Sequence, residues 1–415
     1  MAAAAIMLSF ALIDLDHWLG SDAVQEVRYL YLFGPEGARA IMSTIASSMM
    51  TVASLTFSIT MLTLQLASSQ YGPRLLRNFM RDRGNQIVLG TFIATFVYCL
   101  LVLRTIRGVE GSSFVPHVAV AFGVLLALLS LAVLIYFIHH VASSIRIESL
   151  LTELAIDTRK TIDRLFPEEL GVGPADRDTH AQLPADFAVE GQSVLAGASG
   201  YVQRIDLEAL MQCAVENDLI LAVEARPGCF VTDIDPLFRV LTQRQLSDDV
   251  TGRLLGCIVV GAERTPEQDL AFSVRRIVEI AQRALSPGIN DPTTALYCID
   301  RLQEAFVHLA RRDIPSGLRC DAAGRLRVVT EVAVLDNLAS DAFAAVARYG
   351  LKDVDVVARL LDAINRIVRA MPASQGTRLR MLAEQMRSAG QGDCVLPRDL
   401  ERLEGLQGPA RPQLS

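Results

Sequence analysis

The run Ile41–Leu66, IMSTIASSMMTVASLTFSITMLTLQL, holds 26 residues and not one charged side chain. A helix needs about 20 apolar residues to cross a bilayer, so this run is long enough to cross with tilt. Two more follow: Ile87–Leu103, 17 residues closed by Arg104 and Arg107, and Val118–Ile138, 21 residues closed by His139 and His140. One such run could be a buried helix of a soluble protein; three in close succession predict a membrane domain. A fourth is shorter. Ala2–Ile13 precedes Asp14 and Asp16, and twelve helical residues reach only about 18 Å against ~30 Å of hydrocarbon. With no basic residue ahead of it, it does not read as a signal peptide. The expectation is a first span, about 1–13, whose N-terminal turns this chain lacks.

Polar residues in Ile41–Leu66 follow a helical rhythm. Thr44, Ser47, Thr51, Ser54 and Ser58 are spaced three, four, three and four, and Met61 and Gln65 continue the series. That spacing makes one stripe along one helix face, with Ile45, Met49, Val52, Ile59 and Leu66 opposite. Small hydroxyl residues let membrane helices approach and bond across a contact. Repeated around an axis, the same stripe lines a path for ions or water. Both readings are open. The stripe holds no acid or base, which speaks against a proton relay.

Charge predicts orientation. Ala67–Gln86 carries Arg74, Arg77, Arg81 and Arg83 against Asp82 alone, whereas Asp14–Arg39 carries five acids against two arginines. The first link is expected inside and the second outside, which places everything after His140 in the cytoplasm. The four arginines are candidates for holding anionic lipid headgroups as well as for setting topology. Seven widely spaced cysteines (Cys99, Cys213, Cys229, Cys257, Cys298, Cys320, Cys394), none in a C-x-x-C pair, suit free thiols in a reducing compartment.

The chain up to Ile145 carries a net charge of +1 and the remainder −8. An acidic soluble half argues against nucleic acid as a partner. Expected there are an amphipathic helix over 141–166 continuing the last span, a Gly/Pro/Asp-rich linker over 167–186, a β-rich module over 187–260, and a mainly helical domain over 261–415. The fold class is thus a multi-pass helical membrane domain, 1–140, followed by an α+β region. Within the β-rich part, Ser193–Leu195 and Tyr201–Ile205 are expected strands and Leu207–Asn217 a helix. Leu219–Ala225 and Cys229–Thr232 flank Pro227-Gly228, a strong turn signal. This turn is similar to those of biotinyl- and lipoyl-type β-sandwich domains. Those carriers need a lysine, and none occurs between Lys160 and Lys352, so no covalent cofactor is expected. Thr265-Pro266-Glu267-Gln268 reads as a capping box opening a helix to about Leu285. The loop Ser286-Pro287-Gly288-Ile289-Asn290-Asp291-Pro292 separates it from a helix to Arg312. Further helices are expected at Leu335–Tyr349, Val354–Met371 and Arg378–Ser388, with a strand near Leu326–Thr330.

Several of these stretches are long enough to be specific: Ser68-Ser-Gln-Tyr-Gly-Pro-Arg-Leu-Leu-Arg-Asn-Phe79, Gly90–Cys99, Tyr136-Phe-Ile-His-His140, Gly261–Asp269 and Leu285–Pro292. They resemble the domain-of-unknown-function 2254 family of bacterial predicted membrane proteins, over nearly the whole chain. The resemblance implies four spans with a cytoplasmic C-terminal region in the bacterial inner membrane, and it brings no activity or catalytic residue.

No nucleophile elbow, Walker loop, dinucleotide fingerprint or H-E-x-x-H occurs. His139-His140 suits an interfacial anchor. Asp233/Asp235 and Asp353/Asp355 sit where Asp caps turns and helices. No catalytic residue and no metal site is expected. Two function classes stay open: a homo-oligomeric, channel-like protein with the second span lining a pore beneath a cytoplasmic collar, or a non-enzymatic membrane scaffold recruiting an unidentified cytoplasmic partner.

Overall fold

A computed structural model describes residues 1–24, 34–71, 83–109, 112–144, 146–166, 191–242, 245–312, 317–331, 335–372, 375–392 and 396–405. The chain divides into two compact units, Met1–Ser149 and Leu150–Ser415.

The first unit is a helical bundle of α1 (Ala2–Val24), α2 (Pro35–Tyr71), α3 (Arg83–Thr105) and α4 (His117–Ser144), with a hairpin of β1 (Arg107–Val109) and β2 (Ser112–Phe114). Among the described residues three helices are long and apolar enough to cross a membrane: α2, α3 and α4. A four-span count is not established. The first helix runs to Val24 rather than ending near Ile13. Asp14 and Asp16 therefore lie within it, and Asp16 is buried. The reason is a cap. The Val118 and Ala119 amides at the start of α4 donate to Asp16 Oδ1 and Oδ2, each at 3.0 Å. These are amides that a helix start leaves without partners. At the same end Arg39 donates to the Ile106 carbonyl at 2.8 Å, and the His17 and Phe114 rings stack with centroids 4.1 Å apart.

Helix α3 packs against α1, α2 and α4. Its Val88, Phe92, Tyr98, Cys99 and Val102 are buried, and two of its polar side chains bond across to α4. Tyr98 donates to the Ala119 carbonyl at 2.8 Å, and Thr95 and Ser130 share a hydrogen bond at 3.1 Å.

The second unit opens with α5 (Ile147–Leu165), whose Leu150, Leu151, Leu154 and Ile162 are buried. Asp163 anchors it to α9 (Pro292–Ala310) through His308 at 2.7 Å and through Arg312. The His308 hydrogen bond is the main reason the Asp163 carboxyl sits below the usual range.

Two sheets follow. One has the order β3 (Gln192–Leu195), β7 (Pro236–Leu241), β5 (Ile220–Val223), β10 (Leu326–Val329), β9 (Leu318–Cys320). The other has β6 (Phe230–Val231), β4 (Gly200–Ile205), β8 (Ile258–Gly261). Helices α6 (Leu207–Glu216) and α7 (Asp248–Gly256) accompany them. The strands flanking Pro227-Gly228 do not pair with each other. β5 pairs with β7 and, in parallel, with β10, while β6 pairs with β4. The Arg226–Cys229 turn, closed by the Cys229 amide on the Arg226 carbonyl at 3.1 Å, thus carries the chain from one sheet to the other. The parallel pairing of β10 also joins the β-rich stretch and the following helical stretch in one sheet.

Helices α8 (Leu270–Ala284), α9, α10 (Leu335–Gly350), α11 (Val354–Ala370), α12 (Thr377–Gly392) and α13 (Pro397–Gly405) complete the unit. α11 is its core member, with ten buried residues from Val356 to Val368. The helix expected to open at Thr265 begins instead at Leu270, with Asp269 as its N-cap. Gln268 is diverted to the sheet, where its side chain accepts from the Ile205 amide and donates to the Ile205 carbonyl, at 2.8 and 3.1 Å.

An ion cluster, buried at Arg327 and Asp321 and exposed at Asp218, ties the β9–β10 hairpin to the chain just ahead of β5. Arg327 donates to Asp321 Oδ2 at 2.9 Å and to Asp218 Oδ1 at 2.8 Å. The Arg325 amide and the Arg327 guanidinium hold the Asp321 carboxyl down at about 2. A carboxyl depressed below its unfolded value stabilises the fold above that value and ceases to as pH falls through the folded one. Acid titration of the protein followed by circular dichroism should therefore lose stability between about pH 4 and pH 2. Asp321→Asn should be less stable at neutral pH and show a shallower acid limb; an unchanged limb would show that this carboxyl contributes nothing.

Candidate functional site

Helix α2 runs for 37 residues, about 55 Å at 1.5 Å per residue, and Pro35 starts it, where a missing amide is harmless. Its Ala38, Met42, Ala46, Ala53, Thr56 and Thr63 are buried in the bundle. Thr44, Ser47, Thr51, Ser54, Ser58 and Gln65 are all exposed, on the side of the helix turned away from those residues. The hydroxyl stripe is thus the outer face of this unit. Three of its donors are served locally: Thr44 bonds the Ala40 carbonyl at 2.7 Å, Thr51 the Ser47 carbonyl at 2.9 Å, and Ser58 the Ser54 carbonyl at 2.9 Å. The hydroxyl oxygens keep lone pairs to present outward, so the face is a neutral row of acceptors flanked by exposed Met50, Leu55 and Leu62.

Arg74, Arg77 and Arg81 lie outside the described residues, as does the side chain of Arg83, whose backbone opens α3. His140 stacks on Tyr136 with centroids 5.5 Å apart. Asp235 accepts the Thr232 amide and hydroxyl at 2.7 and 2.9 Å, which hold its carboxyl below the usual range. Asp353 caps α11 by accepting from the Asp355 and Val356 amides, and Asp355 pairs with Arg402 at 2.5 Å. Among the described residues, no three His, Cys, Asp or Glu side chains converge as metal ligands would. Cys213, Cys257 and Cys298 are buried free thiols, and burial is the main reason each is pushed above the ordinary thiol range.

The loop Ser286–Pro292 is a closed interhelical turn. The Ser286 hydroxyl bonds the Arg283 carbonyl at 2.6 Å, and the Ile289 and Asn290 amides donate to the Ser286 carbonyl. Asn290 sits at φ 51°, a left-handed conformation that asparagine tolerates better than most residues. Pro287 and Gly288 form its tip, and Pro292 is the first helical residue of α9. Asp291 caps that helix, accepting from the Thr294 amide and hydroxyl at 3.1 and 2.6 Å. The Ser286 hydroxyl and both Asp291 carboxylate oxygens are thus spent on the loop's own geometry.

Residues that no motif connects also meet in the second unit. Arg226, Cys229, Arg264 and Arg319 line one cleft. They come from a turn, a loop and a strand, and their proximity depends on the sheet order.

The family model described as "Predicted membrane protein (DUF2254)" matches residues 1–366. Uncharacterized proteins from Mycobacterium bovis and Mycobacterium tuberculosis are each 34% identical over 340 residues, covering 81% of this chain. The chain spans 64% of the length of those relatives. No solved structure matches.

Removing the Asp291 side chain leaves two Thr294 donors without an acceptor. Asp291→Ala should lower the unfolding free energy by about 1 kcal/mol, read by chemical denaturation in detergent. Ser58→Ala, on an exposed face with a locally served donor, should stay within about 0.5 kcal/mol of the parent.

Proposed function

Because this chain belongs to the DUF2254 family of predicted membrane proteins, we propose that it works within a bilayer as a homo-oligomer, α2 from each copy facing a shared axis. The carrying observation is the exposure of Thr44, Ser47, Thr51, Ser54, Ser58 and Gln65 on the face of α2 turned away from its own bundle. Lipid offers hydroxyls nothing to bond, whereas a second copy or a water-filled path does. In this reading α1 is a fourth span beside the three apolar helices, and the bilayer is the bacterial inner membrane. The second unit is a cytoplasmic gating or assembly collar, and no catalytic step is assigned to it. Charge supports the orientation through the arginine-rich link Ala67–Gln86 and the acidic stretch Asp14–Arg39.

A second reading draws on the bonds from Thr44, Thr51 and Ser58 to their own helix. With those donors satisfied, the stripe can be a dry packing face, and the protein a scaffold whose second unit recruits a cytoplasmic partner.

Orientation is tested by fusion. Alkaline phosphatase joined after Ile145 should be inactive, and joined within Ser21–Arg39 active; the opposite pair of results overturns the topology.

Bulk separates pore from packing. On a pore wall, Ser54→Leu should leave the oligomer intact and cut single-channel conductance in planar bilayers. In a tight interface it should overpack by about 1–3 kcal/mol and weaken assembly. Cysteines placed along the stripe should react with water-soluble thiol reagents only in a wet path. An intact oligomer with no current and unreactive stripe cysteines would sink the channel reading.

A further inference from the structure

A cleft of about 550 Å³ opens between the Arg226–Cys229 turn, the loop leading into α8, strand β9 and helix α10. That volume is in the range of small-molecule sites, which pair an apolar lining with a few placed polar groups. Phe166, Leu270 and Leu338 supply apolar wall, and three guanidinium groups supply charge: Arg226, Arg264 and Arg319.

The three arginines are in different states. Arg264 is committed, donating through Nε and Nη2 to Asp269 Oδ2 at 2.8 and 2.7 Å, and lying 5.2 Å from the Phe272 ring centroid. Asp269 is equally committed, since its other oxygen accepts the Phe272 amide at 2.9 Å to cap α8. Arg226 meets Glu331 at 3.3 Å with both side chains more than half exposed, a screened pair that another anion can replace. Arg319 stands apart. It is partly buried, it has no carboxylate or hydrogen-bond acceptor among the described residues, and its Nε is fully enclosed without a partner. A polar atom enclosed without a partner is uncommon and asks for a cause.

We propose that this cleft binds a small organic anion, an apolar body bearing one phosphate or carboxylate head, for which Arg319 is the counter-charge and Arg226 the second contact. The apolar wall takes the body of the ligand. Glu331 and Asp341, also on the lining, disfavour a second anionic group and favour hydroxyl or amine donors there. The Arg226–Cys229 turn forms a firm wall of the cleft, because Gly228 has φ 89° and a Cβ on it would lie 2.1 Å from Asp269 Oδ2.

Cys229 lies in the cleft and is partly exposed, so it reports occupancy. Full-length protein in detergent micelles is alkylated with iodoacetamide, with phenyl phosphate or benzoate present at constant ionic strength, and Cys229 and Cys320 are followed separately by peptide mass mapping. At ten times its dissociation constant a bound probe should slow Cys229 about tenfold by mass action, leave Cys320 unchanged and raise the unfolding midpoint. Phenyl phosphate acting alone assigns a phosphate head, benzoate acting alone a carboxylate head, and either supports the site. Arg319→Gln should abolish the protection while Arg275→Gln, on the exposed side of α8, retains it. If Arg319→Gln does not fold, Arg319→Lys should fold and protect more weakly. Equal Cys229 rates and equal unfolding midpoints with and without both probes overturn the proposal. So does equal protection of Cys320, or undiminished protection in folded Arg319→Gln.

Discussion

The first unit depends on one carboxylate. Helices in an apolar medium must satisfy their terminal amides from within the protein, and the start of α4 does so with Asp16 from α1. That contact fixes how far α1 reaches along the bundle. It also explains how a helix bearing Asp14 and Asp16 packs beside apolar neighbours: the acid is a structural ligand for backbone donors. Arg39 does the converse at the same end, supplying a donor to the carbonyl of Ile106 just past α3. Around these two groups the apolar faces of α2, α3 and α4 close on Phe92 and Phe137, aligned by the buried Tyr98–Ala119 and Thr95–Ser130 hydrogen bonds.

The second unit is organised around a different polar core. Arg327 lies between Asp321 and Asp218, which brings the β9–β10 hairpin against the start of β5. Removing one partner of the buried Arg327–Asp321 pair typically costs more than the pair itself contributes. It lies at the end of the parallel alignment of Val328 with Leu221.

Much of this is legible in the residues. Runs without charge locate α2, α3 and α4, because lipid tolerates nothing else at that length. The three-four spacing of hydroxyls identifies a single face of α2, since helical period alone determines which residues share a side. Dipeptides such as Asp291-Pro292 mark helix starts, because capping is local chemistry. Long-range pairing is not legible. Nothing near Asp16 signals that its partners are the amides of Val118 and Ala119, so local pattern ends α1 too early. The Pro227-Gly228 turn suggests a hairpin, and only the competing partners β7, β10 and β4 show that its flanking strands belong to different sheets. Thr265 carries a sound capping pattern, yet Gln268 bonds better to the edge of Ile205, and Asp269 takes over the cap. The cleft is invisible for the same reason: Arg226, Arg264 and Arg319 are ordinary surface-type residues until the sheet order assembles them.

The sheet order has a consequence for how the protein is made. β10 inserts between β5 and β9, so one side of β5 has no neighbour until the chain through Val329 has been synthesised. During that interval the nascent protein carries an open strand edge bordered by Leu221 and Val223, the kind of edge that templates unwanted pairing. Parallel closure across so long a stretch of chain is also slow. The molecule therefore passes through a period in which its own later segment must compete with other chains for the same edge. The ion cluster of Arg327, Asp321 and Asp218 gives that later segment an advantage no stray strand shares.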